Sequence, residues 1–242
     1  MPARRAGWKA SAAANNAADT RRGTNLATVR TDEPHGQVQV TRLSRAQAAD
    51  AGMVIAASHA DYPGFRHVFP DTEARRRALG PFMVATARDA AAHGHGLIAE
   101  TSGVVGVALW MPPGTFPLSS GRKVRMAPAL IRMTLTVGGG AMRRFAQVGS
   151  ALERAHPPEP SWYLQAMGVH PRAQRQGAGS RLMAAGIALA DKDQLPCYLQ
   201  TSDPANVKYY QRFGFELIQP AIATYPGGPT YIGMIRPAVR AN

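Results

Sequence analysis

The most constraining stretch of the chain lies between residues 162 and 236, where the apolar pattern changes period several times in short succession. A strand-length apolar run at 162–169 ends at His170-Pro171, and a loop holding Gly177 and Gly179 follows. Leu182, Met183, Ile187 and Ala190 then recur at helical spacing, so a helix runs to about residue 190 with these side chains on its inner face. Residues 197–201 read as a second strand, 205–213 as a helix, and two more strands follow. A strand-helix-strand unit implies a right-handed crossover and parallel pairing, and such sheets bind ligands beyond the carboxyl ends of their strands. The fold class is therefore α/β.

The upstream half supplies further elements. Residues 38–43 read as a strand, and Ser44 with Gln47 forms a capping-box pair for a helix to His59. A second helix is expected over 72–92, stopped by Gly94 and Gly96. Residues 97–99 and 104–110 flank Thr101-Ser102-Gly103 as a hairpin. Between 112 and 160, helical spacings broken by Gly138-Gly139-Gly140 predict two helices. Residues 1–36 carry no apolar period and read as a disordered extension, leaving one domain over 37–242. The extension has no apolar core of a secretory signal; its Arg-rich, acid-poor character suits a mitochondrial transit peptide or translation from an upstream start codon.

Composition narrows the function classes. Cys197 is the only cysteine, which rules out an intrachain disulfide and, with no Cys/His cluster, argues against a metal site and for a reducing, cytoplasmic setting. No apolar run is long enough to span a membrane. The net charge of +13 invites a nucleic-acid reading, but the basic residues are scattered beyond Arg75-Arg76-Arg77. The excess is read as a solvated surface that favours a polyanionic small ligand, with no nucleic-acid or membrane partner and a monomer or homodimer expected.

The loop Gln174-Arg175-Gln176-Gly177-Ala178-Gly179-Ser180 opens a helix directly after a strand. Unpaired N–H groups and the positive end of the helix dipole make such a start a pyrophosphate site when no side chain blocks it. Two glycines alone fit small-residue packing as well. A nucleoside-triphosphate loop is excluded because no Gly-Lys-Ser/Thr follows, and a dinucleotide fingerprint would need a third glycine and a later acidic residue.

Gln174-x-x-Gly177-x-Gly179 matches the Gln/Arg-x-x-Gly-x-Gly/Ala motif of the GNAT family of N-acetyltransferases. Upstream Met167-Gly168-Val169-His170-Pro171 resembles that family's fourth strand. Downstream, Asn206-Val207-Lys208-Tyr209-Tyr210-Gln211-Arg212-Phe213-Gly214-Phe215 resembles its Asn-(x)-Tyr-x-x-x-Gly-Phe segment. Within the family the chain looks most like the puromycin N-acetyltransferases, through Ala60-Asp61-Tyr62-Pro63, Arg66-His67, Glu159-Pro160 before Trp162, and Thr201-Ser202. It departs where that pattern expects Glu and this chain has Gln200. The resemblance implies a mixed, mostly antiparallel sheet splayed between its fourth and fifth strands. Acetyl-CoA would be the acyl donor, held by residues 174–180, by Asn206 and by the backbone of Met167 and Val169.

Acetyl transfer needs a neutral amine. A lysine-like amine of pKa about 10.4 forfeits roughly 4 to 5 kcal/mol at pH 7, whereas one near 8 forfeits only about 1, so a strong base is optional for a weakly basic acceptor. Candidate bases are Asp61, Glu100 and His67, or a water held by Gln165 or Gln200. The resemblance assigns Tyr210 as the group protonating the leaving thiolate. Its neighbour Tyr209 points about 100° away on a helix, so only one of them can do so. Tyr62 and Trp162 are candidates to wall the acceptor pocket, with core packing the competing reading for each. Cys197 opens a buried strand and is expected to be inert. The implied function is N-acetylation of a small-molecule amine, antibiotic inactivation included. The alternatives are protein acetylation and a regulatory domain that senses acyl-CoA.

Overall fold

The structure, a computed structural model, describes residues 38–239, so the expected extension at 1–36 lies outside the described residues. Seven strands form one sheet in the order β1-β2-β3-β4-β5-β7-β6. They are β1 (Gln39–Arg42), β2 (His95–Glu100), β3 (Val104–Met111), β4 (Trp162–Val169), β5 (Cys197–Thr201), β6 (Glu216–Ala223) and β7 (Thr230–Arg236). Only β4 and β5 pair in parallel; all other neighbours are antiparallel. The β4–β5 crossover is α6 (Ala178–Lys192), whose inner face buries Leu182, Met183, Ile187 and Ala190 as its spacing predicts. Burying such a side chain is worth roughly 1.5–3 kcal/mol, so this face holds α6 against the sheet.

The opposite face carries α1 (Ala48–His59) and α3 (Thr72–His93). The capping-box bonds form, with the Gln47 N–H donating to Ser44 Oγ and the Ser44 N–H to Gln47 Oε1. Residues 45–47 nevertheless make turns, and the α-helix starts only at Ala48. Sequence reading missed α2 (Pro63–Val68), a helix too short to show a period. The buried Arg75 fastens it by donating to the carbonyls of Ala60, Phe69 and Pro70.

Helices α4 (Ser120–Val137) and α5 (Gly139–Ala155) break at Gly138, as the triple glycine predicts. Phe145 of α5 packs on Phe65, Phe69 and Phe82, closing a second apolar layer over α2 and α3. The last helix, α7 (Ala205–Gln211), leads from the end of β5 toward the β6–β7 hairpin.

Candidate active site

The sheet splits between β4 and β5. Their pairing covers only Trp162–Cys197, Tyr163–Tyr198 and Leu164–Leu199, while β3 follows β4 out to Val169. The split begins at a bulge: Trp110 lies opposite Leu164 and Leu109 opposite Ala166, leaving Gln165 as the extra residue. A bulge bends its strand and raises the local twist. It also reverses which edge each residue faces.

Before the bulge the Trp162 N–H bonds toward β5, to Pro196 O; after it the His170 N–H bonds toward β3, to Val105 O. Alternate residues turn their backbone groups to the same edge. Ala166 and Gly168 therefore share the β3 edge with His170, and Met167 and Val169 turn theirs toward the opening. Val169 O accepts from Gln174 Nε2 at 3.1 Å, so this glutamine ties the loop to the strand. The remaining opening-side groups of Met167 and Val169 have no ladder partner on β5.

The glycine loop sits at the end of this lane. Gly177 caps α6 in the left-handed region at φ 83°, where a side chain other than glycine is strained. Arg175, at φ 63°, is also left-handed. No side chain caps α6, and at its start the Arg181 N–H donates to Gly177 O. The N–H groups of Ala178, Gly179 and Ser180 thus precede the helical ladder. Gln176 and Ser180 are exposed beside them.

Gly179 is placed differently from a glycine kept bare for an anion. A Cβ there would stand 3.2 Å from Tyr209 Oη and 3.3 Å from Met167 Cε, so its bare side lets α6 approach the strand beneath. Its N–H remains part of the helix start.

The two tyrosines of α7 face different surroundings. Tyr209 Oη is buried under the glycine loop beside Ser180, burial raises its phenol while the Ser180 hydroxyl and Arg212 oppose this, and Arg212 lies 5.1 Å over its ring. Tyr210 packs on Phe215, and burial, then the neighbouring Tyr62, Tyr209 and Asp203, push its phenol well above the usual range. It therefore stays protonated at neutral pH. The Asn206 amide makes no hydrogen bond among the described residues; the helix start is capped by Asp203, whose Oδ1 accepts from the Ala205 N–H at 3.0 Å.

Tyr62 joins this group, but its hydroxyl is committed. It accepts from the Ser202 N–H at 2.9 Å and lies 2.6 Å from Thr201 Oγ1, leaving the ring as the free surface. Trp162 is a correction. It is 5% exposed at the closed end of β4, its Nε1 donates to Asp193 Oδ2, and it belongs to the core under α6. A side chain that far from the bulge cannot wall the opening.

None of the side-chain base candidates is free at the split. Asp61 is exposed and paired with Arg75, and Glu100 is held by Gln47 and Thr41 two strands away, roughly 10 Å. His67 is exposed beside Tyr225. Gln200 accepts from Tyr163 and donates to Leu152 O, whereas Gln165 Oε1 is buried and unpartnered. Burial lifts the Cys197 thiol to about 12, which keeps it unreactive.

Two residues that sequence reading passed over stand close to the site. Asp203 follows Thr201-Ser202 at the end of β5, and its charge bears on Tyr62 and Tyr210. His59, taken only as a helix end, lies against Gly168 of β4 with its Cε1 3.6 Å from where a Cβ would stand. Among the described residues no cluster of His, Cys, Asp or Glu could hold a metal, and no helix is long and apolar enough to cross a membrane.

The profile of the acetyltransferase (GNAT) family matches residues 136–215. An uncharacterized N-acetyltransferase of Schizosaccharomyces pombe is 28% identical over 130 residues, 50% of this chain and 51% of that protein. The chain thus spans about half the length of the curated relative it matches. A Corynebacterium glutamicum structure described as histone acetyltransferase HPA2 and related acetyltransferase superposes with TM-score 0.63 at 24% identity, covering 85% of this chain and 98% of that one. The yncA structure from Salmonella typhimurium, which contains acetyl-CoA, gives TM-score 0.50 at 14% identity over 85% and 96%. Arylalkylamine N-acetyltransferase 2 of Aedes aegypti gives 0.51 at 13% over 82% and 97%. At these identities the structures share the fold.

Proposed function

We propose that this chain, whose residues 136–215 match the acetyltransferase (GNAT) family, transfers an acetyl group from acetyl-CoA to the primary amine of a small molecule. The observation that carries this reading is the split itself: Met167 and Val169 turn unpaired backbone groups into a lane that ends at the uncapped start of α6. A pantetheine arm carries amides that can pair with such an edge, and its pyrophosphate suits the N–H groups of Ala178, Gly179 and Ser180. Gly177 leaves the approach open, since nothing lies within 4 Å of a Cβ there. Arg175 and Gln176 add polar groups beside the same anion, and Asn206 offers its free amide.

When bound, acetyl-CoA supplies an acyl carbon activated by its thioester. The chain's part is to orient and to manage charge. Tyr210 is held protonated by burial, so it can donate a hydrogen bond to a thiolate of pKa about 8.5. Full proton transfer from so weak an acid runs uphill, so stabilisation by that bond is its main contribution. Tyr62 presents its ring rather than its hydroxyl to an acceptor, and an antibiotic amine with an aromatic group, such as puromycin, suits that surface.

The test is thermal unfolding with and without acetyl-CoA, followed by thiol release against an amine panel that includes puromycin. At 100 times its dissociation constant the ligand should add about 2.7 kcal/mol of stability. Gly177→Val should lose this stabilisation while the unliganded protein still unfolds cooperatively. No stabilisation of the unaltered chain, or an equal one in the variant, would sink the assignment of the lane.

A further inference from the structure

Helix α4 carries apolar side chains on two opposite faces. Its Met133 is fully buried, in a cluster with Val68, Phe69, Ala78 and Ala141. At 100° per residue, Val124, Pro128, Ile131 and Leu135 fall within about 60° of one another around the helix, and the middle of that arc lies opposite Met133. All four are exposed, Val124 to 70%, Ile131 to 60% and Leu135 to 83%. They form a stripe about 16 Å long that stands proud of the surface. The other large exposed apolar residues, Met53, Leu217, Ile218 and Val239, are spread over α1, β6 and the end of the described chain.

The borders of the stripe suit a medium that is apolar and carries negative charge. Arg125 and Arg132 follow one border, both exposed and neither in an ion pair among the described residues; Arg125 only approaches His93 Nε2, at 3.4 Å. Thr134 and Thr136, which flank Leu135 in sequence, turn their hydroxyls back onto Leu130 O and Arg132 O. Those polar atoms are therefore satisfied without water. No Asp or Glu occurs from Thr101 to Leu152, a segment that holds six Arg and Lys and includes all of α4 and most of α5. The acids that do reach α4 from outside it are committed, Asp89 to Arg122 and Glu153 to Lys123.

We propose that α4 is a docking surface for an anionic lipid bilayer. The helix lies along the bilayer surface, with Val124, Ile131 and Leu135 entering the boundary between headgroups and acyl chains and Arg125 and Arg132 reaching the anionic headgroups beside them. It does not cross the bilayer, since its other face is committed to the core through Met133. A stripe of protruding side chains offers no groove to a rigid partner, whereas a bilayer deforms around it. A second copy presents the same convex stripe and the same positive border, with no acid to meet it. Nucleic acid would match the arginines and leave the stripe in water. Docking here is independent of acetyl transfer and is read without turnover.

The test is co-sedimentation of the full chain with vesicles of phosphatidylcholine alone or with about one-third phosphatidylserine, at about 0.1 M salt. The phosphatidylserine vesicles should retain the chain at least about 10-fold more strongly, and about 0.5 M salt should weaken that retention. The double variant Ile131→Ser, Leu135→Ser keeps every charge and should lower partitioning about 10-fold or more, and Val124→Ser alone should lower it by a smaller factor. Arg125→Gln with Arg132→Gln should lower it about 10- to 30-fold. These side chains are exposed, so the urea midpoint of each variant should match the natural chain's; where the double variant's shifts, Val124→Ser decides in its place. No retention, or equal retention on both lipids, would overturn the proposal. Retention unchanged by loss of the apolar side chains would overturn it too, leaving charge alone, as for a nucleic acid. So would a dimer in lipid-free solution that the double variant splits, which would assign the stripe to a second copy.

Discussion

Acid should weaken this fold through His59 in a way that one variant isolates. Its ordinary pKa of 6.5 falls to about 4 in the folded chain, with burial the cause and the bond to Ile55 O only partly opposing it. The folded state therefore binds this proton less readily than the unfolded one. Between the two pKa values the unfolded chain holds more protons, so stability falls as pH drops through 6.5 and levels off below 4. With those two values the linkage amounts to about 2 kcal/mol lost between pH 7 and 5, and about 3 by pH 4. For a chain of this size, 2 kcal/mol corresponds to roughly 4–8 °C in melting temperature. Urea unfolding of the natural chain and of His59→Gln at pH 7 and pH 5 gives the difference directly. Burial also lowers His95 and His156, but both variants retain them, so their effects cancel. The natural chain should lose about 2 kcal/mol more than His59→Gln over that interval. Equal losses would show that His59 is solvated and protonates freely in the folded chain.

Tyr210→Phe should lower kcat about 10-fold, the worth of one hydrogen bond to a developing thiolate, with acetyl-CoA affinity unchanged; a kcat equal to the natural chain's would remove the phenol from the reaction. Asp89→Ala should destabilise the fold by about 3–5 kcal/mol in chemical unfolding, because it strands the Arg122 guanidinium, which is 9% exposed in its side chain and donates to both carboxylate oxygens. Removing the exposed Glu73 partner of Arg76 should cost about 0.5 kcal/mol or less, and a comparable loss in the two variants would show that burial does not set the difference.

Much of the framework could be read along the chain. The strands at 162–169 and 197–201 have the predicted bounds, and the inner face of α6 follows from four apolar residues at helical spacing. The hairpin of β2 and β3 and the break at Gly138 were legible for the same reason: each is specified by neighbours within a few residues, through period, turn chemistry and backbone freedom. The Gly177 turn belongs with them, since its left-handed backbone is a local demand that glycine meets.

What the sequence could not determine depends on residues far apart in the chain. The bulge at Gln165 leaves no local signature, because it is a mismatch between β3 and β4, yet it turns the backbones of Met167 and Val169 toward the lane. Gly179 reads like a second phosphate glycine until Tyr209 and Met167 appear beneath it. Trp162 and Tyr62 are both aromatic residues in suggestive motifs; only their depth separates a core anchor bonded to Asp193 from a ring beside the end of β5. His59 is a helix-ending histidine until tertiary contact sets it against the bare Gly168, where burial lowers its pKa to about 4. Local sequence sets backbone preference and period, whereas burial, register and the company of distant side chains arise only when the sheet closes, and those decide which groups are left free to bind.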